Sequence, residues 1–308
     1  MSVALSVISP VYKAQNIIDE LVKRIKESAL KVTHDFEIIL VDDCSPDDSW
    51  LKIEENCKKD QRVKGIKLSR NFGQHKAITA GLEESKGDYV VVIDCDLQHD
   101  PVYIPEMYKK ALDGYDIVYT KMTKIAHSFI RNICSKMFSM IFNWLTDNNF
   151  SHETIGSYSL LSRKVVNSFS KIKDSQRHYL LVLRWLGFKY AYLDVEHKER
   201  YESESSYSFK KLFSHALDGI ISQSDKLLRL SISIGFIFSF LSVIMIILLV
   251  FSYFLYGFKE GWTSIISVIL LSTGLLLISI GILGIYIAKI FEQVKNRPLY
   301  LIDKRLNF

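Results

Sequence analysis

The sequence is poor in several features that would point to common functions. Its four cysteines, Cys44, Cys57, Cys95 and Cys134, have no C-x-x-C spacing, which argues against a zinc site or a disulfide framework and suits a reducing compartment. No Gly-x-Gly-x-x-Gly follows the first apolar run, so a nicotinamide-dependent dehydrogenase is disfavoured. No dense Lys/Arg stripe with interleaved aromatics is present, so no nucleic-acid partner is expected. The net charge of +5 fits basic loops facing anionic lipid better. There is no internal repeat and no low-complexity segment. Met1–Val11 is apolar but short and lacks a basic start, and is expected to be a first strand and not a signal peptide.

Charge itself is missing from two long stretches, Leu230–Phe258 and Gly261–Ala288. About 20 apolar residues cross a bilayer core, so two spans joined near Gly257–Gly261 are expected, as a hairpin. Lys226 and Arg229 precede it, and Lys289, Lys295, Arg297, Lys304 and Arg305 follow it, with only the basic Lys259 between. This bias is expected to put both termini and the N-terminal domain in the cytoplasm, at the cell's inner membrane.

Residues 1 to about 120 alternate strand and helix patterns. Val3–Ser9, Phe36–Val41, Val63–Leu68, Tyr89–Ile93 and Ile117–Tyr119 read as strands. Ile17–Leu30 has helical spacing, Ala77–Glu84 starts a second helix, and a third begins near Pro101. Strands apolar throughout, separated by amphipathic helices, predict an α/β fold with a mostly parallel sheet covered on both faces. Farther on, 124–145 and Ser208–Leu228 carry apolar helical stripes with basic residues. The first reads either as a core-packing helix or as one lying in the membrane interface; the second, feeding straight into the first span, reads as interfacial. The expected organisation is a catalytic domain at 1–206, an amphipathic juxtamembrane helix at 207–229, two spans within 230–288 and a cytoplasmic tail at 289–308.

Ligands bind such sheets at the carboxyl ends of the strands. Polar clusters fall there: Pro10–Lys13, Asp42–Asp47, Ser69–Lys76 and Asp94–Asp100. The sharpest is Asp94-Cys95-Asp96, after Val90–Ile93 and before Leu97-Gln98-His99-Asp100-Pro101. On an extended segment, residues two apart point the same way. Two converging carboxylates repel unless a cation lies between them, and Mg²⁺ or Mn²⁺ bridging phosphate oxygens is the usual solution.

Ile8-Ser9-Pro10-Val11-Tyr12, Val41-Asp42-Asp43-Cys44-Ser45, Leu68-Ser69-Arg70-Asn71-Phe72-Gly73 and Asp94-Cys95-Asp96-Leu97-Gln98 stand in an order and spacing that resemble family 2 glycosyltransferases of the polyprenyl-phosphate type, similar to dolichol-phosphate mannose synthases and bactoprenol glucosyltransferases. Gly284-Ile285-Tyr286 and Glu292–Pro298 extend the likeness past the second span. The resemblance implies a GT-A fold, a nucleotide-sugar donor (a UDP-sugar is expected), Mg²⁺ or Mn²⁺, a polyprenyl phosphate acceptor and a homo-oligomer. It implies that Pro10, Tyr12 and Asp42 hold base and ribose, with Asp43 beside them and Arg70 in the same donor set. It puts Asp94 at the donor's ribose and diphosphate and, with Asp96 and Gln98, at the metal. Arg200 corresponds to a residue that reaches the diphosphate, and Arg131 to one at the acceptor phosphate. Lys76 either lines the 69–76 loop or touches phosphate.

A bond between an anomeric carbon and a diphosphate leaves negative charge on the departing group, which a cation and nearby Arg stabilise in the transition state. A lipid monophosphate is already anionic, so it needs positioning more than proton removal. In-line attack inverts the anomeric centre. Two departures stand out. Ser157 and Ser159, in Thr154–Ser159, occupy places where the family often has an acid and an arginine, and Ser205-Ser206-Tyr207 has serine where many relatives carry lysine. Transfer to a lipid-linked oligosaccharide or another glycolipid is the alternative, and a non-catalytic nucleotide-sugar binding subunit a further one. A processive polysaccharide synthase is disfavoured because Gln-x-x-Arg-Trp is absent.

Overall fold

The computed structural model describes residues 3–122, 155–175, 177–195, 226–256 and 261–308. They belong to two compact units. One combines the N-terminal part of the chain with Arg297–Phe308, and the other contains the two long apolar helices.

The first unit is an eight-stranded mixed sheet with helices on both faces. In chain order it runs β1 (Leu5–Val11), α1 (Ile18–Ala29), β2 (Phe36–Asp42), α2 (Ser49–Lys59), β3 (Val63–Leu68), α3 (Gln74–Glu84), β4 (Tyr89–Val92), a 3₁₀ turn at Pro101–Tyr103 leading into α4 (Ile104–Leu112), β5 (Ile117–Met122), β6 (Ile155–Ser162), α5 (Arg163–Lys171), α6 (Tyr179–Trp185), β7 (Tyr190–Val195) and, after the long helices, β8 (Ile302–Leu306). The spatial order is β7-β5-β6-β4-β1-β2-β3-β8. β1 pairs in parallel with β2 and β4, β2 with β3, and β5 with β7. β6 runs antiparallel between β4 and β5, and β8 antiparallel beside β3.

β1 and β2 are buried at every position, as strands covered on both faces must be. Their alternation divides the core. Leu5, Val7, Ile38 and Leu40 pack with Ile18, Leu21, Ile53 and Met107 from α1, α2 and α4. Ile8, Ile39 and Val41 pack with Ile78, Val166 and Tyr179 from α3, α5 and α6 on the opposite face.

Some boundaries differ from the sequence reading. α3 starts at Gln74, three residues before the apolar face that announces it, because Gly73 at φ +95° turns the chain into the helix. β4 stops at Val92, so Asp94–Asp96 lie in a turn and not on a strand; the every-second-residue rule does not govern how those two side chains point. β5 runs on to Met122. The segment expected as a tail supplies β8, whose ladder to β3 includes Gly65↔Leu306 and Leu68↔Ile302.

The second unit contains α7 (Lys226–Tyr256) and α8 (Trp262–Val294), packed on each other. Mean hydropathy reaches 2.0 over Leu228–Met245 and 2.2 over Leu271–Val294, with neither stretch buried by protein. Side chains such as Phe236, Phe240, Leu277 and Ile287 project outward, the pattern of helices whose solvent is lipid. The expected juxtamembrane helix reaches into α7 at 226–229. The rest of it, and the 124–145 segment, lie outside the described residues.

Candidate functional site

The chain lays β1, β2 and β3 outward in one direction and then returns across β1 to place β4 on its other side. Loops leaving the carboxyl ends of β1 and β4 therefore diverge at this switch point, the place where open sheets of this kind take their ligands. Hydrogen bonds from Ile93 N–H to the Ile8 carbonyl and from Asp43 N–H to the Val11 carbonyl, each 2.9 Å, hold the three strand ends level.

The loops after β1 and β2 are laced together. Lys13 N–H donates to Ser45 Oγ at 3.2 Å, Ala14 N–H to Ser49 Oγ at 2.9 Å, and Asp48 N–H to Gln15 Oε1 at 2.9 Å. Lys13 and Cys44 adopt φ of 55° and 56°, so both loops turn sharply at the strand ends. Asp42 is fully buried. Its Oδ1 accepts from Ser45 N–H at 3.1 Å, and its Oδ2 has no hydrogen-bond partner among the described residues. Burial pushes its carboxyl above the usual carboxylate range, against the pull of Ser45. Asp43 spans to the next loop, accepting from Phe72 N–H at 2.7 Å and Gly73 N–H at 2.8 Å. Burial also raises the Asp43 carboxyl, with the two N–H groups opposing and the Asp42 charge adding to the rise.

Asp94 follows β4 with its side chain 23% exposed. Its Oδ1 accepts from Gln74 Nε2 at 2.7 Å and its Oδ2 from Ser157 Oγ at 2.6 Å. His99, itself buried, places Nδ1 3.8 Å from Oδ2. Burial raises the Asp94 carboxyl; Ser157, His99 and Gln74 pull it down, and the neighbouring Asp96 pushes it up. Asp96 Oδ1 caps its own turn, accepting from Gln98 N–H at 3.1 Å, and Leu97 at φ 57° reverses the chain between them. The Cys95 thiol is pushed up to about 12 by burial, which makes it a poor nucleophile.

The structure thus gathers Asp42, Asp43, Asp94 and Asp96 at one sheet edge. Pro10 is buried in β1 opposite Val41, and Tyr12, 44% exposed, stands at that strand's end. Arg70 is exposed, with its guanidinium over the Phe72 ring at 4.5 Å. Lys76 lies in the first turn of α3, and its charge acts on Asp43. Gln98 is half-buried in the turn after Asp96. Arg131, Arg200 and Ser205–Tyr207 fall outside the described residues. Gln74 and His99 were not singled out by sequence, and Ser157 only as a departure from a family pattern. The proximity of Gln74 and Ser157 to Asp94 depends on where α3 starts and on the register of β6, and that of His99 on the turn that follows β4.

The chain matches glycosyl transferase family 2 over residues 6–169. It is 35% identical over 301 residues to an uncharacterized glycosyltransferase of Bacillus subtilis, YkcC, covering 97% of this chain and 93% of that one. It is 29% identical over 308 residues to the undecaprenyl-phosphate 4-deoxy-4-formamido-L-arabinose transferase of Proteus mirabilis, covering 97% and 93%. Among solved structures, glucosyl-3-phosphoglycerate synthase of Mycobacterium tuberculosis in complex with Mn²⁺, UDP and phosphoglyceric acid superposes with a TM-score of 0.51 at 16% identity, over 71% of this chain and 76% of that one. That likeness is one of fold.

Proposed function

Because this chain belongs to glycosyl transferase family 2, and is an enzyme of that class, we propose that it transfers a single sugar from a UDP-sugar to undecaprenyl or another polyprenyl phosphate, with inversion, at the cytoplasmic face of the cell membrane. The observation that carries this is the convergence of Asp42, Asp43 and Asp94 at the switch point of a GT-A-like sheet in a chain that also has two bilayer-length apolar helices. The relative that acts on undecaprenyl phosphate matches through both helices, which supports a lipid acceptor.

In this reading Asp42 Oδ2, buried without a partner among the described residues, accepts from an N–H of the donor's base, with Pro10 and Tyr12 beside it. Asp43 holds the 72–73 backbone in place, and Arg70 and Lys76 flank the phosphates. A divalent cation fits next to Asp94 and Asp96. Both are hard oxygen donors, and Asp94 is partly desolvated and crowded by Asp96, so a cation would relieve its ionised form. No three His, Cys, Asp or Glu side chains converge on a metal site among the described residues. The two carboxylates, with the Gln98 amide oxygen, would hold Mg²⁺ or Mn²⁺ as a sparse set of oxygen donors, diphosphate and water supplying the rest. Such an ion would neutralise the charge that develops on the leaving nucleoside diphosphate.

Arg200 is assigned to that diphosphate and Arg131 to the acceptor phosphate. The acceptor is an anion at neutral pH, so the protein's task is to align it for in-line attack; no strong general base is required. The tail supports the topology. β8 belongs to the same sheet as β1–β4, so a chain that crosses the bilayer twice between them would have both flanks of the hairpin on one side.

The test is a reconstitution. Purified protein with undecaprenyl phosphate, Mg²⁺ or Mn²⁺ and a panel of UDP-sugars is expected to form an acid-labile lipid-linked sugar. Extension of lipid-diphosphate sugars alone would overturn the acceptor assignment, and no product with any sugar nucleotide would overturn the reaction.

A further inference from the structure

We propose that Ser157 and Gln74 are positioning residues for Asp94, each fixing one oxygen of its carboxylate so that the charge meets the donor in one orientation; the inference rests on the donor-site reading above. The hydrogen bonds come from different elements. Gln74 opens α3 and Ser157 lies on β6, at 2.7 Å and 2.6 Å respectively. A carboxylate otherwise rotates freely about its last torsion, and one donor on each oxygen stops that rotation.

The antiparallel register of β4 and β6 creates the contact. Tyr89 opposes Ser162 and Val92 opposes Ser159, so carrying the count two residues beyond the ladder sets Ser157 opposite Asp94. The strand is fixed there by its own hydroxyls. Ser159 Oγ donates to the Ser157 carbonyl at 3.0 Å and is 2.7 Å from Tyr179 OH, which must then donate to Ser159. Tyr158, pointing to the opposite face, donates its hydroxyl to the Asp100 carbonyl at 3.3 Å. Adjacent residues of β6 therefore grip both ends of the Asp94–Asp100 turn. On the other side, Gly73 gives its N–H to Asp43 while Gln74 reaches Asp94, so two acids of the site are tied through consecutive residues.

The chemistry of the two donors matters. A lysine or arginine would orient Asp94 and also cancel its charge. A hydroxyl and an amide orient it and leave the negative charge for a cation or a ribose hydroxyl, with a lone pair still open on each oxygen.

Binding of UDP with Mn²⁺, followed by calorimetry on the full chain in detergent, tests this alongside thermal unfolding and turnover. Ser157→Ala is expected to weaken UDP–Mn²⁺ binding about tenfold, the usual effect of losing a hydrogen bond to a charged group. Ser157→Thr, which keeps the oxygen and suits a strand, should recover most of it. Gln74→Ala, at an exposed position that does not threaten folding, should weaken binding severalfold. Wild-type binding by both alanine variants would overturn the proposal, as would Ser157→Thr binding no better than Ser157→Ala. Asp94→Asn separates the two layers. If it abolishes binding while the alanine variants are unaffected, the clamp alone falls. If Asp94→Asn itself binds and turns over normally, the donor-site reading falls and takes the clamp with it.

Discussion

Ser69 donates its backbone N–H to the carbonyl of Leu301 at 2.9 Å, so the strand that follows the two apolar helices begins beside the loop that runs to Gly73 and, through it, to Asp43. Two side-chain contacts accompany it. Tyr300 donates its hydroxyl to Glu83, and Arg305 pairs with Glu84 at 2.8 Å, both near the end of α3. Deleting residues 299–308 would strip the edge of β3 and leave a row of unpaired backbone groups. A loss of several kcal/mol is expected, roughly 10 °C in melting temperature, with aggregation in detergent. Arg305→Ala alone removes a half-exposed ion pair and should cost well under ~1 kcal/mol. Thermal unfolding of both variants checks this; an unaffected truncation would mean that β8 adds little to the sheet.

Asp42 sets stability against binding. Its buried carboxyl is raised above the ordinary 3.8 by desolvation. The folded chain therefore keeps the proton to a higher pH than the unfolded chain does. Lowering the pH through the window between the two values stabilises the fold, and above that window the buried charge is a standing cost. Asp42→Asn removes the charge, so at pH 7 it should melt a few degrees higher than wild type, and the gap should narrow as the pH falls through the window. The same variant should bind UDP more weakly. Melting curves from pH 4 to 8 with UDP titrations test both; a variant less stable than wild type at pH 7 would contradict the burial argument.

The parts of this molecule visible in its sequence are those built from local signals. β1, β2 and β3 were marked by apolar runs closing on polar clusters, and α7 and α8 by the absence of charge. The acids at the strand ends were found for the same reason, since Asp42, Asp43 and Asp94 lie within two residues of their strands and Asp96 within four. Long-range pairing left no such trace. β6 inserts between β4 and β5 from beyond residue 150, and β8 joins β3 from beyond residue 300; nothing in Ile155–Ser162 or Ile302–Leu306 names its neighbour. The partners of Asp94 were hidden with them. Ser157 is legible as a serine in an unexpected place, but only the register makes it a donor to that carboxylate.

Far from the site, Glu37 is 2% exposed at the opposite edge of the sheet. Its Oε1 accepts from Ser6 Oγ at 2.6 Å and Lys86 N–H at 2.7 Å, and its Oε2 pairs with Lys64 at 2.6 Å. Burial pushes the carboxyl up, but Lys64, Ser6 and the Lys86 N–H together outweigh it and the net shift is down. The folded state therefore gains stability from this group above the ordinary 4.5 and loses it as the pH falls through the lowered folded value. Glu37→Ala leaves the Lys64 ammonium largely buried without its counter-charge and should cost ~3–5 kcal/mol. UDP affinity of the folded fraction should be unchanged. A loss below about 1 kcal/mol, measured by denaturant or thermal unfolding, would show that Lys64 finds water instead.

Asp96 offers the cleanest test of the donor centre. Its Oδ1 accepts from Gln98 N–H at 3.1 Å, and asparagine keeps an acceptor oxygen in that place, so Asp96→Asn should leave the turn and the melting temperature intact. What it removes is one negative charge beside Asp94. If Asp96 holds a cation against the donor diphosphate, turnover should fall about a hundredfold, near 3 kcal/mol of transition-state stabilisation. The concentration of Mn²⁺ needed for half-maximal activity should rise with it, and EDTA should silence the wild type reversibly. Normal turnover with an unchanged metal requirement would remove Asp96 from the metal site and leave its carboxylate the task of holding the turn.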